Sequence, residues 1–145
     1  MAKTRRRRRK ALPADPVMVD IKSLSHDGRG IAQVDGKTIF IDGALPLEKV
    51  EFTYRRSKFD EGKLHQVLEA SADRVEAPCS HSAICGGCNL QHMDTVAQIN
   101  MKQSVLEEQL THFGAVAVDE YLPPLVGPQL GYRRKARLAV KNVPK

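Results

Sequence analysis

Tryptophan is absent from these 145 residues, and aromatic side chains make up only 5%. A core built without large rings must be small and aliphatic. No run of 18 apolar residues occurs, which removes the usual membrane-spanning helix. The basic run behind Met1 is not followed by an apolar stretch, so a secretory signal is missing and a cytoplasmic chain with no membrane partner is expected. Cysteine is scarce and odd in number, at three, which argues against a disulfide framework. Closely spaced cysteines in a reducing compartment serve more often as metal ligands or reactive thiols. A monomer is expected.

Acid is missing from both ends. Residues 1–10 hold seven basic side chains (Lys3, Arg5 to Arg9 and Lys10) and no carboxylate. Residues 133–145 hold six more: Arg133, Arg134, Lys135, Arg137, Lys141 and Lys145. The formal charge of +6 therefore conceals two basic ends around an acidic middle. Clustered cations suit a polyphosphate backbone, because each neutralised phosphate releases counterions. Residues 1–16, ending in Pro13 and Pro16, read as a charged tail without fixed structure.

From Val17 to residue 73 the pattern is of short strands. Val17–Ile21, Gly30–Val34 and Thr38–Ile41 come first, with Asp35-Gly36 supplying the positive-φ pair of a tight hairpin. Glu48–Tyr54 alternates Val50, Phe52 and Tyr54 with polar residues, and Leu64–Leu68 is a fifth candidate. Five short strands in this span predict a small, mainly β antiparallel barrel of the oligonucleotide-binding type, or an SH3-like barrel. A cysteine loop, one helix and the start of an α+β domain follow over 74–145. Thr95 is placed to cap the helix, with Gln98 as its capping-box partner. Val96, Ile99, Leu106, Leu110 and Phe113 mark one apolar face, expected to be core or packing surface, and Gly114 marks the stop. Pro123, Pro124 and Pro128 make a rigid connector. Tyr132–Lys141 then alternates strictly, with Arg133, Lys135 and Arg137 on one side and Arg134 on the other. A strand with so cationic a face predicts nucleic-acid contact by Arg133, Arg134, Lys135 and Arg137.

Cys79, Cys85 and Cys88 are separated by five residues and then by two, with Gly86 and Gly87 between the last pair. A Cys-x-x-Cys loop brings two thiolates to one centre, and glycines allow a tight turn beside a bulky group. Soft thiolates select zinc or an iron–sulfur cluster. Zinc is completed by His81 or His92 as a three-cysteine, one-histidine set; a cluster calls for a fourth ligand. Both readings satisfy the spacing.

The stretch Pro78-Cys79 through Cys85-Gly86-Gly87-Cys88-Asn89-Leu90-Gln91-His92-Met93 closely resembles the signature of the uracil-5-methyltransferases that modify 23S ribosomal RNA, of the RlmD type. Leu24 to Ala32, with Asp35-Gly36-Lys37 and Ile39-Phe40-Ile41, looks like the TRAM domain at the front of that family. Gly131 to Leu138 looks like the start of its central RNA-contacting region. Three motifs in the family's order are specific where one would be weak. The resemblance implies an RNA-binding TRAM barrel of OB type and 23S ribosomal RNA as partner. It also implies a structural [4Fe-4S] cluster with Cys79, Cys85 and Cys88 as three of its four ligands. The fourth cysteine, the S-adenosylmethionine site and all catalytic residues would then lie beyond Lys145, so these residues alone should not methylate. The alternative is a free-standing RNA-binding module with a zinc-bound cysteine loop. One position departs from the family: Leu47 stands before Glu48 where Gly is usual, and a changed turn is expected there.

Overall fold

In the computed structural model, residues 13–55, 60–85, 87–135 and 137 are described. Six strands come first: β1 (Val17–Asp20), β2 (Ser23–Leu24), β3 (Gly30–Val34), β4 (Lys37–Asp42), β5 (Lys49–Tyr54) and β6 (Glu61–Glu69). A short α1 (Ser82–Cys85), the longer α2 (Thr95–Glu108) and a π-helical turn (Gln109–Phe113) follow.

The strands hydrogen-bond in the order β1-β5-β6-β4-β3-β2, antiparallel except for β4 beside β6. β1 and β2 are consecutive in the chain yet lie at opposite ends of that order. The two residues between them join the ends: the Ile21 N–H donates to the Glu48 carbonyl at 2.8 Å, and the Lys22 N–H donates to the Ile31 carbonyl at 2.9 Å. The sheet thus curls into a nearly closed barrel, which protects strand edges from outside pairing. This strand order, with one parallel pair, is that of an OB-type barrel.

Period-two alternation builds the core. Ile39 and Ile41 of β4 and Val50 and Phe52 of β5 point inward, joined by Ile21, Ala32 and Ala44. The core is aliphatic around one ring, as the scarcity of aromatics requires. Phe52 fits only because Gly62 faces it. A Cβ at position 62 would stand 2.3 Å from the Phe52 ring. The β3–β4 hairpin turns on Asp35 (φ 50°) and Gly36 (φ 75°), the pair expected for a two-residue turn that matches strand twist.

Several expectations need correction. The first strand ends at Asp20, a residue before Ile21, because the chain bends there to change sheet partners. The fifth predicted strand is the middle of the nine-residue β6. Asp94, not Thr95, caps α2: its carboxylate accepts from the Val96 and Ala97 N–H groups at 2.8 and 3.4 Å. Gln98 does not close a capping box. Its side-chain amide donates to the Leu90 and Met93 carbonyls at 3.0 and 2.8 Å, tying the helix to the segment before it. Gly114 ends the helical stretch as expected, its N–H meeting the Gln109 carbonyl at 3.0 Å.

The apolar face of α2 is not core. No residue of α2 is buried, and Val96, Leu106 and Phe113 are 64%, 51% and 87% exposed. The barrel is already filled by its own strands, and an open groove of about 560 Å³ that includes Lys22, Leu24, Pro46 and Met101 lies between it and α2. The strand expected over Tyr132–Lys141 lies partly outside the described residues. Its described residues, Tyr132–Lys135 and Arg137, are exposed and belong to no strand or helix. A lone strand gains no inter-strand hydrogen bonds and so has no reason to form.

A clasped cysteine loop beside the barrel

The turn between β4 and β5 holds the one fully buried carboxylate among the described residues. Glu48 is 1% exposed. The Arg74 guanidinium forms an ion pair with it through Nε, and Arg74 Nη2 donates to Glu48 Oε2 at 2.8 Å and to the Gly43 carbonyl at 2.7 Å. The Leu45 and Ser71 N–H groups donate to the same carboxylate at 2.8 and 3.4 Å. Burial alone would raise its pKa. The Arg74 hydrogen bonds, with the Leu45 N–H, outweigh burial and hold the carboxyl below the usual carboxylate range.

Arg74 is also where the cysteine loop begins. It pairs with Met93 in an antiparallel bridge, the Val75 N–H donates to the His92 carbonyl at 3.0 Å, and the Asp94 N–H donates to the Asp73 carbonyl at 2.8 Å. Met93 is 5% exposed at this junction. The two ends of the loop are thus pinned together and clasped to the barrel through Glu48. On its other side the loop packs against the barrel at Leu90, whose side chain lies so near Gly28 (φ 83°) that a Cβ there would approach to 2.7 Å.

Within the loop, the Ser82 N–H donates to the Cys79 carbonyl, and the Ile84 and Cys85 N–H groups donate to the His81 carbonyl, at 2.8–3.1 Å. This winding carries Cys85 out on the short α1. All three thiols are free; Cys79 is half-buried, and Cys85 and Cys88 are exposed. Among the described residues, no three His, Cys, Asp or Glu side chains are gathered closely enough to hold a metal ion. The structure therefore places the three cysteines on one loop without bringing them to one point. The donor chemistry still suits a thiophilic centre: three soft, accessible thiols fall within ten residues. Gly87 lies beside one of them, its Cβ position 3.5 Å from Cys85 Sγ. The set is one donor short of four. His81 meets the Ser80 hydroxyl at 3.2 Å. His92 is half-buried at the loop base, and its Nε2 and the Gln91 Oε1 are buried without a protein partner. Burial, with the nearby Arg74 charge, lowers the His92 pKa and favours neutral imidazole.

The expected RNA-contacting residues Arg133, Arg134, Lys135 and Arg137 are all exposed, and Arg133 lies over the Tyr132 ring at 5.8 Å. They stand in the segment after α2, in no assigned strand. On the barrel the arginines are engaged with acids: Arg29 with Asp27 and Glu61, Arg55 with Asp42 and Glu61, Arg74 with Glu48. Sequence reading missed the Glu48–Arg74 clasp, because nothing in a lone Glu before a strand marks it as buried. It also missed Arg29, Phe40 and Glu61, which come together only when β4 and β6 lie side by side.

A six-stranded barrel of OB order that clasps a cysteine loop defines the class first. Residues 16–53 match the TRAM domain family. The particular likeness is to 23S rRNA (uracil(1939)-C(5))-methyltransferase RlmD. The protein of that name from Alcanivorax borkumensis is 59% identical over 139 residues, 94% of this chain and 31% of the relative. Those from Nitrosococcus oceani and Hahella chejuensis are 54% and 48% identical, over 95% and 96% of this chain and 32% of each relative. The family resemblance seen in three motifs holds across nearly the whole chain, which spans about a third of the length of the curated relatives it matches.

Proposed function

We propose that this chain is the RNA-binding, cluster-bearing part of an S-adenosylmethionine-dependent methyltransferase that forms 5-methyluridine in 23S ribosomal RNA. The observation that carries the reading is the 59% identity to an RlmD protein across 94% of the chain, TRAM barrel included. In this reading Cys79, Cys85 and Cys88 supply three thiolates to a [4Fe-4S] cluster, which, when bound, cross-links the loop. The clasp of Glu48 and Arg74 holds that loop against the barrel. Arg133, Arg134, Lys135 and Arg137 supply phosphate contacts. None of the cysteines is the methyl-transfer nucleophile, and the methyl donor is bound by residues beyond Lys145. No helix among the described residues is long and apolar enough to cross a membrane.

Anaerobic purification followed by iron, acid-labile sulfide and zinc analysis tests the loop. Iron and sulfide that disappear when Cys85 is replaced by Ser are expected; stoichiometric zinc without iron would instead establish the zinc-bound module. With S-adenosylmethionine and a 23S RNA transcript, the 145-residue chain should incorporate no methyl group. Incorporation would place the catalytic groups within it.

A further inference from the structure

We propose that the outer surface of β4 carries a stacking site for one base of single-stranded RNA, with the Arg29 guanidinium as the stacking plane and Phe40 as its support. The inference rests on the RNA-binding reading above and names a site that the basic segments do not contain.

Phe40 lies between Ile39 and Ile41, which are buried at 1% and 0% exposure. Alternation along β4 therefore turns the Phe40 ring to the outside of the barrel. In a chain this poor in aromatics, an out-turned ring needs a cover. Arg29 provides it, with Cζ 4.9 Å from the ring centroid. Asp27 pairs with Arg29 Nε at 2.8 Å, and Glu61 lies 3.5 Å from Nη1. The guanidinium is thus held over the ring and at its edges, while the side chain stays 29% exposed. A planar, partly exposed cation over an out-turned ring is a group on which a base can stack, as arginine planes do in single-strand recognition.

The surroundings suit a nucleotide rather than a base alone. Arg55 reaches the same Glu61, Nη1 to Oε2, at 3.5 Å, and also pairs with Asp42. One carboxylate stands between two arginines, and both contacts are long and partly exposed. Arg55 is the more exposed of the two, at 51%, and is the cation available to a phosphate oxygen there. The site lies on the hairpin that corresponds to the second and third strands of an OB barrel, the face on which such barrels take oligonucleotides.

The test is a titration of the 145-residue chain with a labelled single-stranded RNA ten-mer and with a fully abasic chain of equal length and charge. Base stacking on one site should make the wild type prefer RNA by about ten-fold. Arg29→Lys keeps the charge and the ion-pair partners but loses the plane. It should reduce the preference to within about two-fold with an unchanged salt slope. Phe40→Leu keeps an apolar support of similar bulk without the ring and should lose most of the preference too, with circular dichroism confirming the fold of both variants. Full preference in Arg29→Lys overturns the site. Equal wild-type binding to both ligands overturns the site while leaving RNA binding in place, and absence of binding to either removes both readings.

Discussion

Leu47 and Glu48 are neighbours in one turn and pull stability in opposite directions. Leu47 adopts φ 65° with its side chain 85% exposed. A left-handed backbone costs a side-chain-bearing residue about 1 kcal/mol, and an exposed leucine recovers nothing by packing. This is the position where the family resemblance leads one to expect Gly, and the backbone here lies in the left-handed region that glycine favours. Leu47→Gly is expected to stabilise the barrel by about 0.5–1 kcal/mol, read as a higher urea midpoint at unchanged slope. Glu48 is the opposite case. Glu48→Gln leaves the Arg74 guanidinium without its counter-charge and should cost about 3 kcal/mol. Because its folded pKa lies below the ordinary 4.5, the stability it contributes is fully present above that value. It is lost as the pH falls below 4.5 through the lower folded value. Urea midpoints measured from pH 7 to pH 3 should fall in that acid window for the wild type and fall less for Glu48→Gln.

At the level of elements, α2 separates pattern from packing. Its apolar side chains recur at helical spacing, yet the barrel closes without them, and Leu106 remains 51% exposed. Replacing Leu106 with Gln should therefore change the barrel's unfolding free energy by less than about 0.5 kcal/mol, the usual effect of a surface substitution. A loss of several kcal/mol would mean that the helix face is packed in solution. The capping of α2 teaches a related lesson. Asp94 and Thr95 are both good caps by type, and the choice fell on Asp94 because its own N–H is tied to Asp73 at the base of the cysteine loop.

The whole molecule divides its cations by task. Among the described residues Arg74 is committed to the buried pair with Glu48 and Arg29 and Arg55 pair with acids at the barrel surface, whereas Arg133, Lys135 and Arg137 are exposed beyond α2. Replacing those three with Ala should weaken RNA binding and reduce the slope of log affinity against log salt by about 2, from roughly 0.7 for each single-strand phosphate contact. An unchanged slope would place the phosphate contacts elsewhere. Loss of slope here and loss of base preference at Arg29 would be separable effects, one electrostatic and one of stacking.

The sequence by itself determined the barrel, the hairpin at Asp35-Gly36, the end of the helix at Gly114 and the grouping of three thiols on one loop. Each of these follows from local signals: period-two alternation, a positive-φ pair, a helix-stopping glycine and cysteine spacing. Only the tertiary structure decided what those elements do to one another. It turned Glu48 into a buried partner for Arg74, left the apolar face of α2 only partly covered and set Arg29 over Phe40 beside Glu61. These pairings join residues more than ten positions apart, and in the clasp twenty-six. Burial depends on which surfaces meet, and strand order settles that only when the barrel closes. The cysteines stand between the two cases: chemistry and spacing marked them as ligands, while their fold-given place is a loop pinned at its base and short of one donor.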